Sequence, residues 1–317
     1  MIPARGLRLL AGLPVLLSLL APVAHAGAVR VPGTRVSLEP PAGFEPADRF
    51  PGFQQPDTAS SIMVTEIPGP YAEVRGGMSR EGLASRGMTL LHSEPATVPG
   101  AAEGLLVHVH QQAGDVLFAK WMVVCGDGSA SVLVTATFPE SLAETLEAPL
   151  RRAVLSTVLA RGGPEDAFEG LPFRVDPGPG LVVGSRMGNM LSLTPPGASA
   201  PLAPGVPRCF VGLSVAEADL TDLRAFAEER ARRTVTVRGV QVLRGRPLRI
   251  DGLEAWELEA DATHSESGLP LRLYQVVLSE GRSYVLIVGM VEATRAAEYV
   301  PAFRHVAESF TRRPPRP

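Results

Sequence analysis

The chain carries one run of elements twice, about 150 residues apart. That period is far longer than any solenoid repeat, so it specifies two domains rather than an array. The opening signature is Val36-Ser37-Leu38-Glu39-Pro40-Pro41, matched by Leu191-Ser192-Leu193-Thr194-Pro195-Pro196. Each reads as a short strand stopped by a Pro-Pro turn. Further on, the turn Val98-Pro99-Gly100 lines up with Ile250-Asp251-Gly252. Each turn feeds a β-rich run, Gly104 to Gln111 or Ala255 to Thr263. Two more runs follow across Gly-containing turns: Val116 to Cys125 and Ser131 to Phe138, or Leu269 to Leu278 and Ser283 to Val291. Three such runs with tight turns make an antiparallel meander.

Both copies end on a helical pattern. Leu150, Val154 and Val158 recur at helical spacing, as do Phe303, Val306 and Phe310. Pro149 and Pro301 are expected in the first turn of these helices, where a missing N–H costs nothing. An earlier helix is expected after Thr221 as N-cap, carrying Leu223, Phe226, Ala227 and Arg230. Its first-copy partner, Ser79 to Leu91, contains Gly82 and Gly87 and should be the weaker helix.

The N-terminus reads as a secretory signal. Arg5 and Arg8 precede the apolar stretch Leu9 to Ala21, and Ala24-His25-Ala26 supplies a cleavage site. Pro14 interrupts a stretch already short for a membrane span. The expected organisation is a signal peptide over 1–26, a first domain over 31–161, linker and leading edge over 162–187, and a second domain over 188–313. The formal charge is −3, and losing Arg5 and Arg8 takes it to −5. A mildly acidic chain is a poor match for nucleic acid or an anionic membrane surface. Lys120 is the only lysine, which a GC-rich coding bias explains.

The order of strand with Pro turn, strand, helix, meander and terminal helix resembles the Mog1/PsbP-like family, including its exported bacterial DcrB/LpqN-like members. The residues that carry the resemblance are Leu38 to Gly43 and Leu193 to Gly197, Gly100 and Gly252, the strand runs Val132 to Thr137 and Tyr284 to Val288, and the ending Val306-Ala307-Glu308-Ser309-Phe310. The resemblance implies an α+β fold of two tandem domains, each a central antiparallel sheet with packed helices. It brings no shared catalytic residues, and fold alone does not give function.

Several residues invite a chemical reading. His108 and His110 alternate on one strand face and could begin a zinc site. Pairing across Gly114 would set His108 near Lys120 and His110 near Phe118, and a lysine opposes a metal, so a half-buried sheet face is the favoured reading. Glu257, Glu259 and Asp261 alternate with Trp256, Leu258 and Ala260, the pattern of a strand with one face in solvent. Gly178-Pro179-Gly180 has the wrong spacing for a phosphate loop, and its prolines remove donors. Cys125 falls at an apolar strand position, and Cys209 begins a strand of the other copy. They are expected to remain two free, buried thiols rather than a bridge between domains.

The sequence therefore assigns no catalytic, cofactor-binding or metal-ligating residue and no cofactor. It points to an exported, non-catalytic binding or accessory protein of the periplasm or the cell exterior. The partner would be a protein of the cell envelope, without nucleic acid and without stable membrane insertion. A small-molecule or lipid carrier with an apolar pocket is the alternative, and an unrecognised hydrolase stands further behind.

Overall fold

A computed structural model describes residues 27–162, 166–198 and 203–313. The signal-peptide reading over 1–26 lies outside the described residues. The first unit begins with short strands β1 (Val29–Arg30), β2 (Val36–Leu38), β3 (Glu45–Pro46) and β4 (Gly52–Gln55), then β5 (Ser60–Ile67). Two short helices follow, α1 (Tyr71–Gly76) and α2 (Arg80–Ala84). The rest of the unit is β6 (Met88–Pro95), the meander β7 (Glu103–Ala113), β8 (Val116–Gly126) and β9 (Ser131–Pro139), helix α3 (Ala143–Leu155) and β10 (Val158–Leu159).

The second unit repeats this plan. It runs β11 (Phe173–Arg174), β12 (Val182–Met187), β13 (Met190–Thr194), β14 (Arg208–Leu213), α4 (Leu223–Arg232), β15 (Val237–Ile250), β16 (Leu253–His264), β17 (Pro270–Glu280), β18 (Ser283–Glu292), α5 (Ala296–Glu308) and β19 (Thr311–Arg312). Each unit has one seven-stranded sheet, ordered β3-β4-β5-β9-β8-β7-β6 and β12-β13-β14-β18-β17-β16-β15, and every pairing is antiparallel. Small side sheets, β1-β2-β10 and β11-β19, close one end of each.

Both faces of each sheet are covered. In the first unit Val123, Cys125, Val134 and Phe138 pack with Leu150 and Val154 of α3. On the other face Val107, Val109, Met122 and Val124 pack with Tyr71, Met78 and Leu83. The second unit places Tyr274, Val276 and Ile287 against Phe303 and Val306 of α5, and Leu258, Leu273 and Val277 against Ala227 and Ala231 of α4. Burial on both faces explains why β8 and β17 read as nearly continuous apolar runs.

The duplication is real, but its leading edge aligns differently from the Pro-Pro signature. Strand β2 pairs with β10 through Leu159↔Val36, and β11 pairs with β19 through Phe173↔Arg312. The amides of Glu39 and Asp176 each donate to a serine hydroxyl that follows the terminal helix, Ser156 and Ser309, both at 2.8 Å. Val36 to Pro40 therefore corresponds to Phe173 to Pro177, and Leu191 to Thr194 is the counterpart of β4. The second Pro-Pro pair is a coincidence of turn chemistry, since prolines stop strands wherever they occur.

Three helix expectations also change. Pro149 and Pro301 lie inside thirteen-residue helices, not in their first turns, because a 3-10 turn and an extra stretch of helix precede them. Asp222, not Thr221, caps α4 by accepting from the amide of Ala225 at 2.9 Å, while the Thr221 hydroxyl bonds Asp219. The segment Ser79 to Leu91 does not form one helix. Ser79 caps the five-residue α2, and from Met88 the chain joins the sheet edge as β6. Gly87, at φ +71°, marks the break.

The units touch through polar groups. Arg49 of the first unit donates to the carbonyl of Ser214 and pairs with Glu280 at 2.8 Å. Asn189 of the second unit donates to the carbonyl of Arg49 at 2.8 Å.

Candidate functional site

Register fixes which residues of the two units are equivalent. Gly104 pairs with Cys125, and Ala255 pairs with Leu278. Counting along the strands matches Leu106, His108 and His110 with Glu257, Glu259 and Asp261, and Trp121 with Tyr274. On the edge strands, His92 and Glu94 match Arg244 and Arg246. The ninth residues of the terminal helices are Arg151 and Arg304. One polar location, beside the terminal helix and next to the edge strand, is thus built twice with different charge.

In the second unit it is a buried ion network. Glu257 and Glu259 are only 5% and 3% exposed, so this is not a solvated strand face. Arg304 reaches down from α5, its Nε donating to Glu257 Oε1 and an Nη to Glu259 Oε1, both at 2.9 Å. Tyr274 donates its hydroxyl to Glu257 Oε1 at 2.9 Å. From the edge strand, Arg246 binds Glu257 and Arg244 binds Glu259 at 2.6 Å. Arg272 pairs with Asp261 at 2.9 Å, and Asp261 alone of the three carboxylates stays half exposed. Burial works to raise the pKa of Glu257, but the hydrogen bonds from Arg246, Arg304 and Tyr274 outweigh it and hold the carboxyl below its usual range. Burial, with Glu257 alongside, drives the Tyr274 phenol upward. A carboxylate held ionised by three donors is a poor proton shuttle. The outward faces of Arg244 and Arg246 are what this cluster presents, around a cavity of about 360 Å³.

In the first unit the corresponding residues stack instead. His108 lies on Trp121 with ring centroids 4.0 Å apart and planes within 11°. The two-residue turn Gly114-Asp115 sets this register, one residue from the expected one, so His108 faces Trp121 and His110 faces Ala119. Lys120 pairs with Val109 and belongs to the opposite face. Burial lowers the pKa of His108. His110 Nε2 lies 3.1 Å from Glu140, a carboxylate that sequence reasoning did not place there. Arg151 binds Glu94 at 2.8 Å and sits 5.4 Å from the Trp121 ring. Among the described residues no group of three or more His, Cys, Asp or Glu side chains is arranged to hold a metal ion.

The edge strands share one more feature. The β6 register slips between Leu90 and His92, and the β15 register between Val242 and Arg244. The bulged residues are Leu91 and Leu243, equivalent positions left 46% and 50% exposed. The Gly178-Pro179-Gly180 segment serves packing: a Cβ on Gly178 would lie 2.4 Å from the His305 ring.

No protein-family model matches the chain, and no curated protein does either. Among solved structures, it is similar to LpqN of Mycobacterium tuberculosis, which is involved in cell envelope biogenesis, at 14% identity, over 45% of this chain and 83% of that one, with a TM-score of 0.36. Cyanobacterial PsbP from Synechocystis is similar at 15% identity over 39% and 86%, with a TM-score of 0.28. The immunity protein TplEi of the Pseudomonas aeruginosa type VI secretion system is similar at 12% identity over 86% and 97%, with a TM-score of 0.31. The strand order and flanking helices decide the architecture. Each unit is an α+β domain that resembles the Mog1/PsbP-like fold. Within these Mog1/PsbP-like units, the polar location beside the terminal helix is what distinguishes one copy from the other.

Both cysteines are free and buried, one in each Mog1/PsbP-like core. Burial pushes the Cys125 thiol up to about 12 and raises that of Cys209. Thiolate, the reactive form, is therefore scarce near neutral pH. A disulfide reagent is expected to modify neither thiol in the native protein and both after unfolding without reductant. Loss of either thiol in the unfolded, unreduced sample would contradict this placement.

Proposed function

We propose that this is a non-catalytic accessory protein of the cell envelope, acting in the periplasm or outside the cell, which binds a protein partner through the β15 side of its second unit. The observation that carries the reading is a run of charge. From Arg230 to Ile250 there are seven arginines and no Asp or Glu, in a chain of net charge −3. The run covers the end of α4 and all of β15, the terminal strand of its sheet. Val235 and Leu243 stand 80% and 50% exposed within it. Arginine beside exposed apolar side chains is the composition favoured at protein interfaces.

Export rests on the leader-like N-terminal sequence, and no described helix is long and apolar enough to cross a membrane. A carrier of apolar ligands fits less well, because the cavity of about 360 Å³ is walled by charged groups and the one of about 690 Å³ beside α4 carries Asp222, Arg224, Arg249 and Glu254 among its lining. The test is a photo-crosslinking residue at position 243 in the native host, compared with one at Leu117 on the first unit's hairpin. One defined protein adduct at 243 and none at 117 is the expected result. Equal labelling at both positions, or none at 243, would remove the assignment.

A further inference from the structure

Strand β15 is flanked by a pocket on each face of the sheet at the same point along its length. On the α5 face lies the cavity of about 360 Å³ lined by Arg244, Arg246, Arg304 and the two buried glutamates. On the α4 face lies a second cavity of about 690 Å³, between Thr221 to Arg224 at the helix start and Pro247, Arg249 and Trp256. Register explains the placement: Arg246 pairs with Glu257 and Pro247 with Trp256, so neighbouring residues face opposite sides. An extended chain laid beside β15 would alternate in the same way.

The chemistry of each pocket specifies what would fit. On the α5 side, Arg244, Arg246, Arg272 and Arg304 face Glu257, Glu259 and Asp261, leaving one positive charge in excess. The structure gives Arg244 one bond, through an Nη, and Arg246 one, through its Nε. Their remaining donors point outward from side chains 69% and 60% exposed. Guanidinium forks of this kind suit carboxylates. On the α4 side Leu223, Pro247 and the half-buried Trp256 form an apolar wall, edged by Asp222, Arg224, Arg249 and Glu254. Gly245 lets that indole pack close, since a Cβ there would meet its Nε1 at 2.9 Å. The bulges before Arg244 and the missing N–H of Pro247 blunt the edge against indiscriminate strand addition. Selection must then come from side chains.

We propose that an extended segment of a partner protein with alternating acidic and apolar residues lies along β15 between Arg244 and Arg249, its carboxylates in the arginine pocket and its apolar side chains against Trp256. This rests on the docking reading above and adds the chemistry of the partner. A membrane surface fits less well, because Trp256 lines a groove and does not project.

The probe is an octapeptide of alternating leucine and glutamate, titrated into the mature two-domain protein and followed by amide NMR. Shifts are expected at residues 242–250 and 221–224 and at the Trp256 indole. The double variant Arg244→Gln, Arg246→Gln should bind about tenfold more weakly, the scale of one lost hydrogen bond to a charged group. That variant keeps its fold, since Glu257 retains Arg304 and Tyr274 and Glu259 retains Arg304. Equal binding by an octapeptide with four leucines followed by four glutamates overturns the proposal, as does unchanged affinity in the double variant. The same shifts produced by phosphatidylglycerol vesicles would assign the face to a membrane and overturn it as well. If crosslinking at position 243 still captures one protein while the octapeptide fails, the docking face stands and only this mode of recognition falls.

Discussion

Replacing Arg304 with methionine is expected to cost about 3 kcal/mol of stability, the range found when one partner of a buried ion pair is removed. Among the described residues Arg304 alone bonds both Glu257 and Glu259, and it reaches them from α5. Without it, two carboxylates that are almost fully buried keep only the edge-strand arginines, Tyr274 and the more distant Arg272. The lost partner matters more than the lost packing, so Glu257→Gln together with Glu259→Gln should recover much of the stability in the methionine background. The pH dependence has a definite sign. The folded pKa of Glu257 lies below its unfolded value of 4.5. Its stabilising contribution is therefore complete above pH 4.5 and is lost as pH falls through the folded value. In the Arg304→Met protein that loss should begin at higher pH. Chemical denaturation across pH 3 to 7 checks both statements, and a variant within about 0.5 kcal/mol of the parent would show that the network is not structural.

Gly289→Val is expected to damage the second core by about 3 kcal/mol, the upper range of overpacking. Even a bare Cβ at this position would lie 2.2 Å from Phe303, a ring with no exposed surface. The first unit shows how the same volume is divided differently. Gly289 pairs with Tyr274 as Ala136 pairs with Trp121, and Phe303 occupies the helix position of Leu150. One unit combines glycine with phenylalanine, the other alanine with leucine. Gly289→Ala should therefore destabilise alone but be rescued by Phe303→Leu, which rebuilds the first unit's pairing. A double-mutant cycle by urea denaturation measures the coupling. Additive effects would mean that the two cores are not packed equivalently.

Much of the fold was legible because it rests on local pattern. The meander strands, their turns and the terminal helices follow from apolar runs punctuated by glycine. Edge strands were not legible in that way. β15 carries four exposed arginines over its length and has little apolar periodicity, which an edge strand half in water does not need. β6 begins directly after Gly87, where a helical reading of Ser79 to Leu91 is locally reasonable but loses to sheet pairing with β7.

The ion network was missed for a related reason. Glu257 and Glu259 look solvated when their strand is considered alone. The signal was in the partner strand: Arg244 and Arg246 lie as far before the Asp251-Gly252 turn as Glu259 and Glu257 lie after it. Folding the hairpin on that turn pairs the four charges in sequence. Arg304, supplied from α5, could be placed only by tertiary structure. The same limit applies to His108, whose stacking on Trp121 depends on a register fixed by the length of one turn.

The most direct test of the docking assignment is hydrogen–deuterium exchange of the protein, alone and in complex with the partner captured at position 243. Slower exchange in residues 237–250 and at the start of α4, with residues 88–95 of the equivalent first-unit edge unchanged, is the predicted result. Protection of β6 or of the β12 edge, with β15 exchanging as in the free protein, would contradict it.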